Sequence, residues 1–363
     1  MYNWQDKDWP NYSYDEQVII SYALQFAELS GVSTGIFSTL NKDKQQEVIF
    51  EFIISEALKT SAIEGEMLSR EDLMSSIRIR LGLNATLINV RDKRAENVAL
   101  LMLQVRENYA EQLTEQTIKG WHETLFSGAR YVNAGVYRSG AEPMQIVSGA
   151  FGKEVVHYEA PPSGQVEQEM QRFVSWYNGF ETNGNMLKVI VKTAITHLFF
   201  ETIHPFEDGN GRIGRALIEK CLAESLDRSI IMSVSAAIEQ DRKRYYEELN
   251  KASKLLDIND WLLYFAQLLI DAQQGAIDVI NLSIRRAHFF DNYAEVLNDR
   301  QVKVLNKMFD HGADEFEGGM TTRKYVSIAK TTRATATRDL KELVELGVLS
   351  QHGDGRSTHY VLK

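Results

Sequence analysis

HPFEDGNGRIGR, His204 to Arg215, is the stretch on which the reading of this 363-residue chain turns. It contains GNGRIG, a literal G-x-G-x-x-G. As a dinucleotide-binding turn that pattern needs a β-strand before it, a βαβ unit around it, and an acid about 20 residues later to hold a ribose. Here the preceding LKVIVKTAITHLFFETIH has helical periodicity, and the corresponding later region, SIIMSVS, has no acid. The context therefore argues against a doubly wound fold. An ordinary corner between two helices would explain Gly209 and Gly211 as turn residues. It leaves His204, Asp208, Arg212 and Arg215 unexplained.

A phosphate-handling loop accounts for all of them. Two glycines around Asn210 let successive backbone N–H groups turn toward one point, an anion nest. The following IGRALIE helix presents its N-terminus and positive dipole end to that point. Arg212 and Arg215, three residues apart, share the first helical turn and offer forked donors to phosphate oxygens. Asp208 is a hard oxygen ligand suited to Mg²⁺, which travels with nucleotide phosphates. His204 precedes Pro205, which discourages helix there, and its pKa near neutrality suits a general base. The G-K-[ST] of a P-loop is missing, so this is no P-loop NTPase.

Outward from the motif the periodicity is mostly helical. QQEVIFEFIISEALKTSAIEGE places Ile49, Phe52, Ile53 and Ala57 at three- and four-residue spacing, with Gly65 as the stop. RAENVALLMLQVRENYA, EQLTEQTIKGWHETLF, VEQEMQRFVSWYNGF, IGRALIEKCLAESL, DRKRYYEELNKASKLL and INDWLLYFAQLLIDAQQGAIDVINLSIRRAHFF also read as helices. One region breaks the pattern: MQIV and EVVHY flank a glycine-containing turn and predict a hairpin, ended by Pro161 and Pro162. The tail changes style again. RQVKVLNKMFDHG predicts a helix closed by Gly312, followed by a short helix capped by Thr321 or Thr322, a longer one ending at Gly347, and two strands about a glycine-rich turn. Helix, short helix, helix, hairpin is the order of a winged helix-turn-helix.

The totals narrow the class. The hydrophobic share is 44% and the charged share 25%, ordinary for a globular protein. No apolar run approaches the roughly 18 residues that span a membrane; WLLYFAQLLI reads as a buried helix. The opening MYNWQDKDWP predicts no secretory signal. The one cysteine, Cys221, excludes an intramolecular disulfide and fits a reducing, cytoplasmic setting. On an apolar helix face it reads as core. The net charge of −10 makes the whole chain a poor nucleic-acid binder, but residues 300–363 hold eleven Lys and Arg against eight Asp and Glu.

At the opening motif the chain resembles the Fic family (filamentation induced by cAMP), whose active-site motif is written HPFx[DE]GNGRxxR. His204, Pro205, Phe206, Asp208, Gly209, Asn210, Gly211, Arg212 and Arg215 match its fixed positions. The hairpin resembles the family's target-docking flap, the first 85 or so residues the N-terminal domain of many bacterial members, and the tail their winged-helix appendage. The resemblance implies a mainly α fold: an N-terminal region over 1–85, a helical catalytic core with a β-hairpin flap over 86–294, and a C-terminal winged helix-turn-helix over 295–363. It implies transfer of AMP from ATP to a Ser, Thr or Tyr hydroxyl of a protein, the chain itself included. By resemblance, His204 takes the hydroxyl proton and Asp208 holds Mg²⁺. Asn210 and the amides of Gly209 and Gly211 cradle the α-phosphate. Arg212 contacts the phosphate chain and Arg215 grips the γ-phosphate, with Ile213 and Gly214 between them in the nucleotide-binding stretch. Phe206 anchors the loop.

TSAIEGE, Thr60 to Glu66, is a helix end by its own residues, with Gly65 as C-cap. Beside the motif it resembles the family's inhibitory helix, [ST]xxxE[GN], matched by Thr60, Glu64 and Gly65. That implies a bidentate pair between Glu64 and Arg215, which would keep the guanidinium from the γ-phosphate. The flap residues Val156, His157, Tyr158 and Glu159 are candidates for the side nearest the nucleotide, and Tyr245 and Tyr246 for an adenine contact. His122, His157 and His197 lack ligand spacing, and no HExxH is present. Arg333, Arg338 and Lys341 on the expected recognition helix, and Arg356 at the wing tip, are candidates for DNA phosphates. Alternatives to AMP transfer are transfer of another phosphate-containing group, removal of AMP, or a DNA-binding regulator that takes nucleotide as a ligand. A homodimer is compatible with the sequence.

Overall fold

The computed structural model describes residues 1–80, 90–148, 155–309 and 318–363. The chain divides into two compact units, Met1–Ile277 and Asp278–Lys363. The fold is mainly helical. In chain order the elements are α1 (Ile20–Ser38), α2 (Lys42–Ile63), α3 (Arg70–Arg80), α4 (Lys93–Glu107), α5 (Glu115–Leu125), β1 (Gln145–Ser148), β2 (Val155–Glu159), α6 (Val166–Gly179), α7 (Met186–Ile203), α8 (Asn210–Leu226), α9 (Val234–Gln240), α10 (Arg242–Ala252), α11 (Asn259–Tyr293), α12 (Asp299–Phe309), α13 (Thr322–Ala329), α14 (Arg333–Glu345), β3 (Leu349–His352) and β4 (His359–Leu362).

The first unit is built around α7 and α8. Every residue from Val189 to Ile203 on α7 is buried, as is every residue from Arg212 to Ala223 on α8. A helix buried on all sides belongs at the centre of a fold. Here α7 packs against α1, α6 and α8, while α8 packs against α2, α4, α5 and α7. Asn185 starts α7 by accepting from the amides of Leu187 and Lys188. Trp261 on α11 donates through Nε1 to the Ala194 carbonyl at 3.0 Å, which fixes α11 against the middle of α7. The motif therefore joins the two most buried helices of the unit, so its loop is anchored at both ends.

Two helices, α1 and α3, carry no clear apolar stripe. The buried face of α1 contains Ser30 and Ser33 beside Ala23 and Phe26. The buried face of α3 contains Asp72, Ser75 and Ser76 beside Leu73 and Ile77. Those polar groups are satisfied locally: Ser76 donates to the Asp72 carbonyl, and the Asp72 carboxylate accepts from the amides of Arg91 and Asp92.

β1 and β2 pair antiparallel, with a register shift between Ile146 and Val147. The expected turn of this hairpin falls on 149–154, outside the described residues, as does Gly312. The second unit has its own core of Val304, Leu305, Met308, Met320, Tyr325, Ala336, Leu340, Leu343, Val348, Leu349 and Tyr360. At its centre the fully buried Asp339 of α14 accepts a fork from Arg300 (2.9 and 3.1 Å) and the Tyr325 hydroxyl at 2.9 Å, tying α12, α13 and α14 together. β3 pairs with β4 in register from Leu349 opposite Leu362 to His352 opposite His359.

Candidate active site

α7 ends at His204, which sits in the left-handed region (φ 50°, ψ 60°) and donates its amide to the Phe200 carbonyl. Left-handed backbone stops the helix and Pro205 prevents its continuation. The ring is thereby held at the mouth of the loop rather than along the helix. Arg138 secures this end. Its Nε donates to the His204 carbonyl at 2.8 Å, and Nη2 donates to Ile203 and Pro161. Burial lowers the Arg138 pKa to about 10.

Gly209 opens α8 with φ 80°, and a Cβ there would lie 2.5 Å from the Phe126 ring. Conformation and space both demand glycine. Asn210 was expected to contribute to a phosphate cradle, but its side chain closes the loop: Oδ1 accepts from the Phe206 amide at 2.9 Å and Nδ2 donates to the Phe206 carbonyl at 2.8 Å. The first amides of α8 have no partner within the helix, so they face outward at its positive end. His122 supports the loop from α5. It accepts at Nδ1 from the Gly135 amide, so Nε2 carries the proton and donates to the Asp208 carbonyl at 3.1 Å. Its ring stacks on Phe206 at 3.9 Å. Burial pushes the His122 pKa down to about 4, keeping this tautomer neutral.

The two motif arginines are buried and already engaged. Arg215 donates through Nε to Thr60 Oγ1 at 2.7 Å, and through Nη2 to the Thr60 carbonyl at 3.0 Å and Glu64 Oε1 at 2.7 Å. The expected bidentate carboxylate pair is thus a single carboxylate bond, with Thr60 taking Nε and the other N–H of Nη2 while Nη1 has no partner. The end of α2 explains the arrangement. Gly65 adopts φ 81°, its amide donates to the Ala62 carbonyl, and the Glu66 amide donates to the Ser61 carbonyl. This double closure of the helix end turns the chain so that Glu64 and Glu66 both face α8. Glu66 Oε2 lies 3.1 Å from Arg212 Nη1, and Asp208 Oδ1 lies 3.7 Å from Arg212 Nη2. The Arg212 guanidinium also covers the Phe126 ring at 5.1 Å. Glu64 sits directly over the start of α8: a Cβ on Gly211 would meet its Oε1 at 2.2 Å.

The charges follow from this packing. Burial opposes the charge of Glu64, but the charge and hydrogen bond of Arg215, with Arg212 and His204 beside it, hold its carboxyl below the usual range. Burial, with Arg138 nearby, pushes His204 down to about 4, so its ring is neutral at physiological pH. Burial, with Glu64 adding to it and Arg215 opposing, raises Glu201 to about 8. A carboxyl whose folded pKa is raised favours the folded state only while protonated. That contribution is intact below the ordinary carboxylate pKa and is lost as pH rises toward about 8. Glu201→Gln should therefore raise Tm relative to the parent more at pH 8.5 than at pH 5, measured by thermal unfolding at both.

The flap lies against the same end of α7. Tyr158 is buried and donates through its hydroxyl to the Thr202 carbonyl at 2.5 Å, whereas Val156 is exposed. The His157 carbonyl accepts from Asn250 Nδ2 at 2.6 Å, and the Glu159 carbonyl from Trp4 Nε1 at 2.8 Å. Of the two tyrosines, Tyr245 is buried with its hydroxyl 2.8 Å from His197 Nε2. Tyr246 is exposed, and its hydroxyl lies 3.5 Å from the Ile63 carbonyl at the end of α2. Among the described residues no group of three or more His, Cys, Asp or Glu is gathered to hold a metal ion, and no helix is long and apolar enough to cross a membrane.

Residues 112–222, which contain the whole loop, all of α7 and most of α8, match the Fic/DOC family. This stretch is a Fic/DOC domain. Residues 2–83 match a domain of unknown function, DUF4172. A probable protein adenylyltransferase of Aquifex aeolicus is 31% identical over 133 residues, 37% of this chain and 37% of that protein. The protein adenylyltransferase Fic of Nematostella vectensis is 30% identical over 181 residues, 49% of this chain and 38% of that protein. The chain thus spans under two fifths of the length of either relative. Its fold is also that of a Fic family protein from Desulfovibrio desulfuricans G20, with TM-score 0.58 at 20% identity over 98% of both chains.

Four residues around the Fic loop carry no signal of their own in the sequence. Arg138, His122, Glu66 and Glu201 lie outside HPFEDGNGRIGR, and each becomes legible only through its partner on another segment. Glu66, two residues past Glu64 and across a helix-ending glycine, was the one most open to inference.

Proposed function

We propose that this chain is an autoinhibited protein adenylyltransferase, transferring AMP from ATP to a Ser, Thr or Tyr hydroxyl of a protein, itself included. The observation that carries the reading is the convergence of His204, Asp208, Arg212 and Arg215 on the N-terminus of α8, with the Glu64 carboxylate held on Arg215. The curated relatives named as protein adenylyltransferases support it.

In the reaction the target hydroxyl oxygen attacks the α-phosphorus of ATP. The bond between the α-phosphorus and the bridging oxygen breaks, pyrophosphate leaves, and the hydroxyl proton passes to His204. Phosphate transfer asks mainly for positioning and charge stabilisation. The outward amides of α8 receive the α-phosphate oxygens at the positive helix end, Arg212 meets the phosphate chain, and Arg215 meets the γ-phosphate. The Asp208 side chain is 49% exposed and offers hard oxygens at the loop. That fits Mg²⁺, which needs only one or two carboxylates beside substrate phosphates. When bound, the ion neutralises charge on the phosphate chain. Tyr246, the exposed tyrosine of the pair, is the one proposed to meet the adenine. The outer carbonyls of β2 are taken by Trp4 and Asn250, so β1 is the edge proposed to receive the target as an added strand.

Glu64 is the brake. With its carboxylate on Arg215, the γ-phosphate loses its anchor and ATP sits in a non-productive pose. Glu66 extends the brake by occupying Arg212 in the same way. Incubation with labelled ATP followed by denaturing electrophoresis tests the reading: covalent label on protein supports the enzyme, and nucleotide that binds but washes off supports a ligand-responsive regulator instead.

We further propose that the second unit is a winged helix-turn-helix that meets DNA phosphates. Arg333, Arg338 and Lys341 are exposed on α14. Phosphate contacts of this kind are salt-dependent and blind to sequence. Arg338→Ala with Lys341→Ala should weaken a low-salt gel shift on random duplex DNA several-fold. No shift with the unaltered chain would contradict DNA binding.

A further inference from the structure

Glu201 lies on the last turn of α7, three residues before His204, and is 7% exposed. Nothing in the family motif assigns it a role. Its Oε1 is buried without a hydrogen-bond partner, and so is Nδ1 of His204. The two residues face each other, with Glu201 Oε2 3.9 Å from His204 Nδ1. A buried carboxyl left without partners costs stability, and the fold goes out of its way to keep this one. On α8, a Cβ at Gly214 would lie 2.2 Å from Glu201 Oε1 and 3.1 Å from His197 Nδ1. Any residue larger than glycine at 214 would displace the carboxyl. His197 Nδ1 is itself buried and unpartnered, and its Nε2 lies 2.8 Å from the Tyr245 hydroxyl. A row of polar groups, Tyr245, His197, Glu201 and His204, thus runs through the core beneath the loop.

We propose that Glu201 is a positioning residue for His204, its Oε2 accepting the Nδ1 proton so that Nε2 presents a bare lone pair to the target hydroxyl. The inference rests on the adenylyltransferase reading of the site. A general base works through one ring nitrogen only, and the group bonded to the other nitrogen decides which one. The proton balance is simple. The hydroxyl proton goes to Nε2, and the Nδ1 proton stays on the ring, held by Glu201 Oε2 as the acceptor oxygen of a carboxyl that burial keeps protonated. The present separation exceeds a hydrogen bond, as contacts in empty catalytic sites often do before substrate tightens them. The neighbours that set the charge here are Arg215 on α8, Glu64 on α2, Arg138 from the loop before β1, and Tyr245 on α10. The backbone carbonyl of Glu201 also lies beside the His204 ring. It is the competing acceptor, and the test separates the two.

The test compares Glu64→Gly with Glu64→Gly/Glu201→Gln and Glu64→Gly/Glu201→Leu, reading AMP incorporation at varied ATP together with Tm. Glutamine keeps the shape, and leucine removes the polar group. The expected result is crossed: Tm unchanged or higher in both double variants, KM for ATP unchanged, and kcat at least roughly tenfold lower, a part of the roughly 10²–10⁴-fold that the base itself contributes. An unchanged kcat in both would assign the tautomer to the backbone carbonyl and overturn the proposal. A fall in kcat accompanied by a matching loss of Tm and a rise in KM would mark Glu201 as structural only and also overturn it. No incorporation by Glu64→Gly itself would contradict the adenylyltransferase reading instead.

Discussion

Glu64→Gly is expected to raise the rate of self-modification by roughly 10- to 150-fold over the unaltered protein. The expectation comes from the one carboxylate bond that Glu64 makes, Arg215 Nη2 to Oε1 at 2.7 Å, with the carboxylate over the first turn of α8. A hydrogen bond to a charged group contributes about 1.5–3 kcal/mol, and that converts to about this range in the population of the released state. Loss of the side chain frees one N–H of Nη2 and opens the space beside Gly211, while Thr60 keeps Nε and the other N–H of Nη2 in place. The guanidinium is then oriented for a phosphate rather than set loose. Glycine at the end of α2 costs little, because Glu64 is the cap residue and already lies outside the helix proper. The measurement is the initial rate of label incorporation at equal protein concentration, with circular dichroism confirming the fold. A rate at or below that of the unaltered protein would remove Glu64 from the regulatory role.

His204→Ala, made in the Glu64→Gly protein, should lower AMP incorporation by roughly 10²–10⁴-fold, the usual worth of a positioned general base. The residue sits in left-handed backbone, where alanine is strained. His204→Asn is the better matched variant, since asparagine tolerates that conformation. Both should bind ATP about as well as the parent, because the phosphate donors lie on α8 and not on the histidine. Since His204 is neutral down to about pH 4, the rate in the parent should be flat through the neutral range and fall only as the ring protonates. Retained incorporation in the asparagine variant would move the base elsewhere.

Much of the site was legible because its residues are contiguous. His204, Asp208, Gly209, Arg212 and Arg215 occupy one short stretch, and helix periodicity on either side placed them on a loop and on the first turn of the helix that leaves it, where they are found. Glu64 was legible only through the resemblance of Thr60, Glu64 and Gly65 to the inhibitory helix, since by its own residues the stretch is just a helix end. The form of its contact was not: that Thr60 fills most of the Arg215 fork depends on how α2 approaches α8, which no local pattern encodes. The same limit hid Arg138 and His122, whose partners are backbone carbonyls and amides of distant segments. Backbone groups have no letter in the sequence. The helices α1 and α3 escaped notice for another reason. Serine and aspartate on their buried faces erase the apolar stripe on which periodicity depends. Asn210 shows a further limit, since a polar residue in a loop reads equally well as a ligand contact or as a brace, and its two bonds to Phe206 make it the brace.

The central claim is that HPFEDGNGRIGR moves AMP from ATP onto protein under the restraint of Glu64. Intact-mass measurement of the unaltered chain and of Glu64→Gly, each incubated with ATP and Mg²⁺, tests it most directly. The account predicts a mass increase of one or more AMP groups in Glu64→Gly, with little or none in the unaltered chain. No added mass in either protein, or an increase corresponding to phosphate alone, would contradict it.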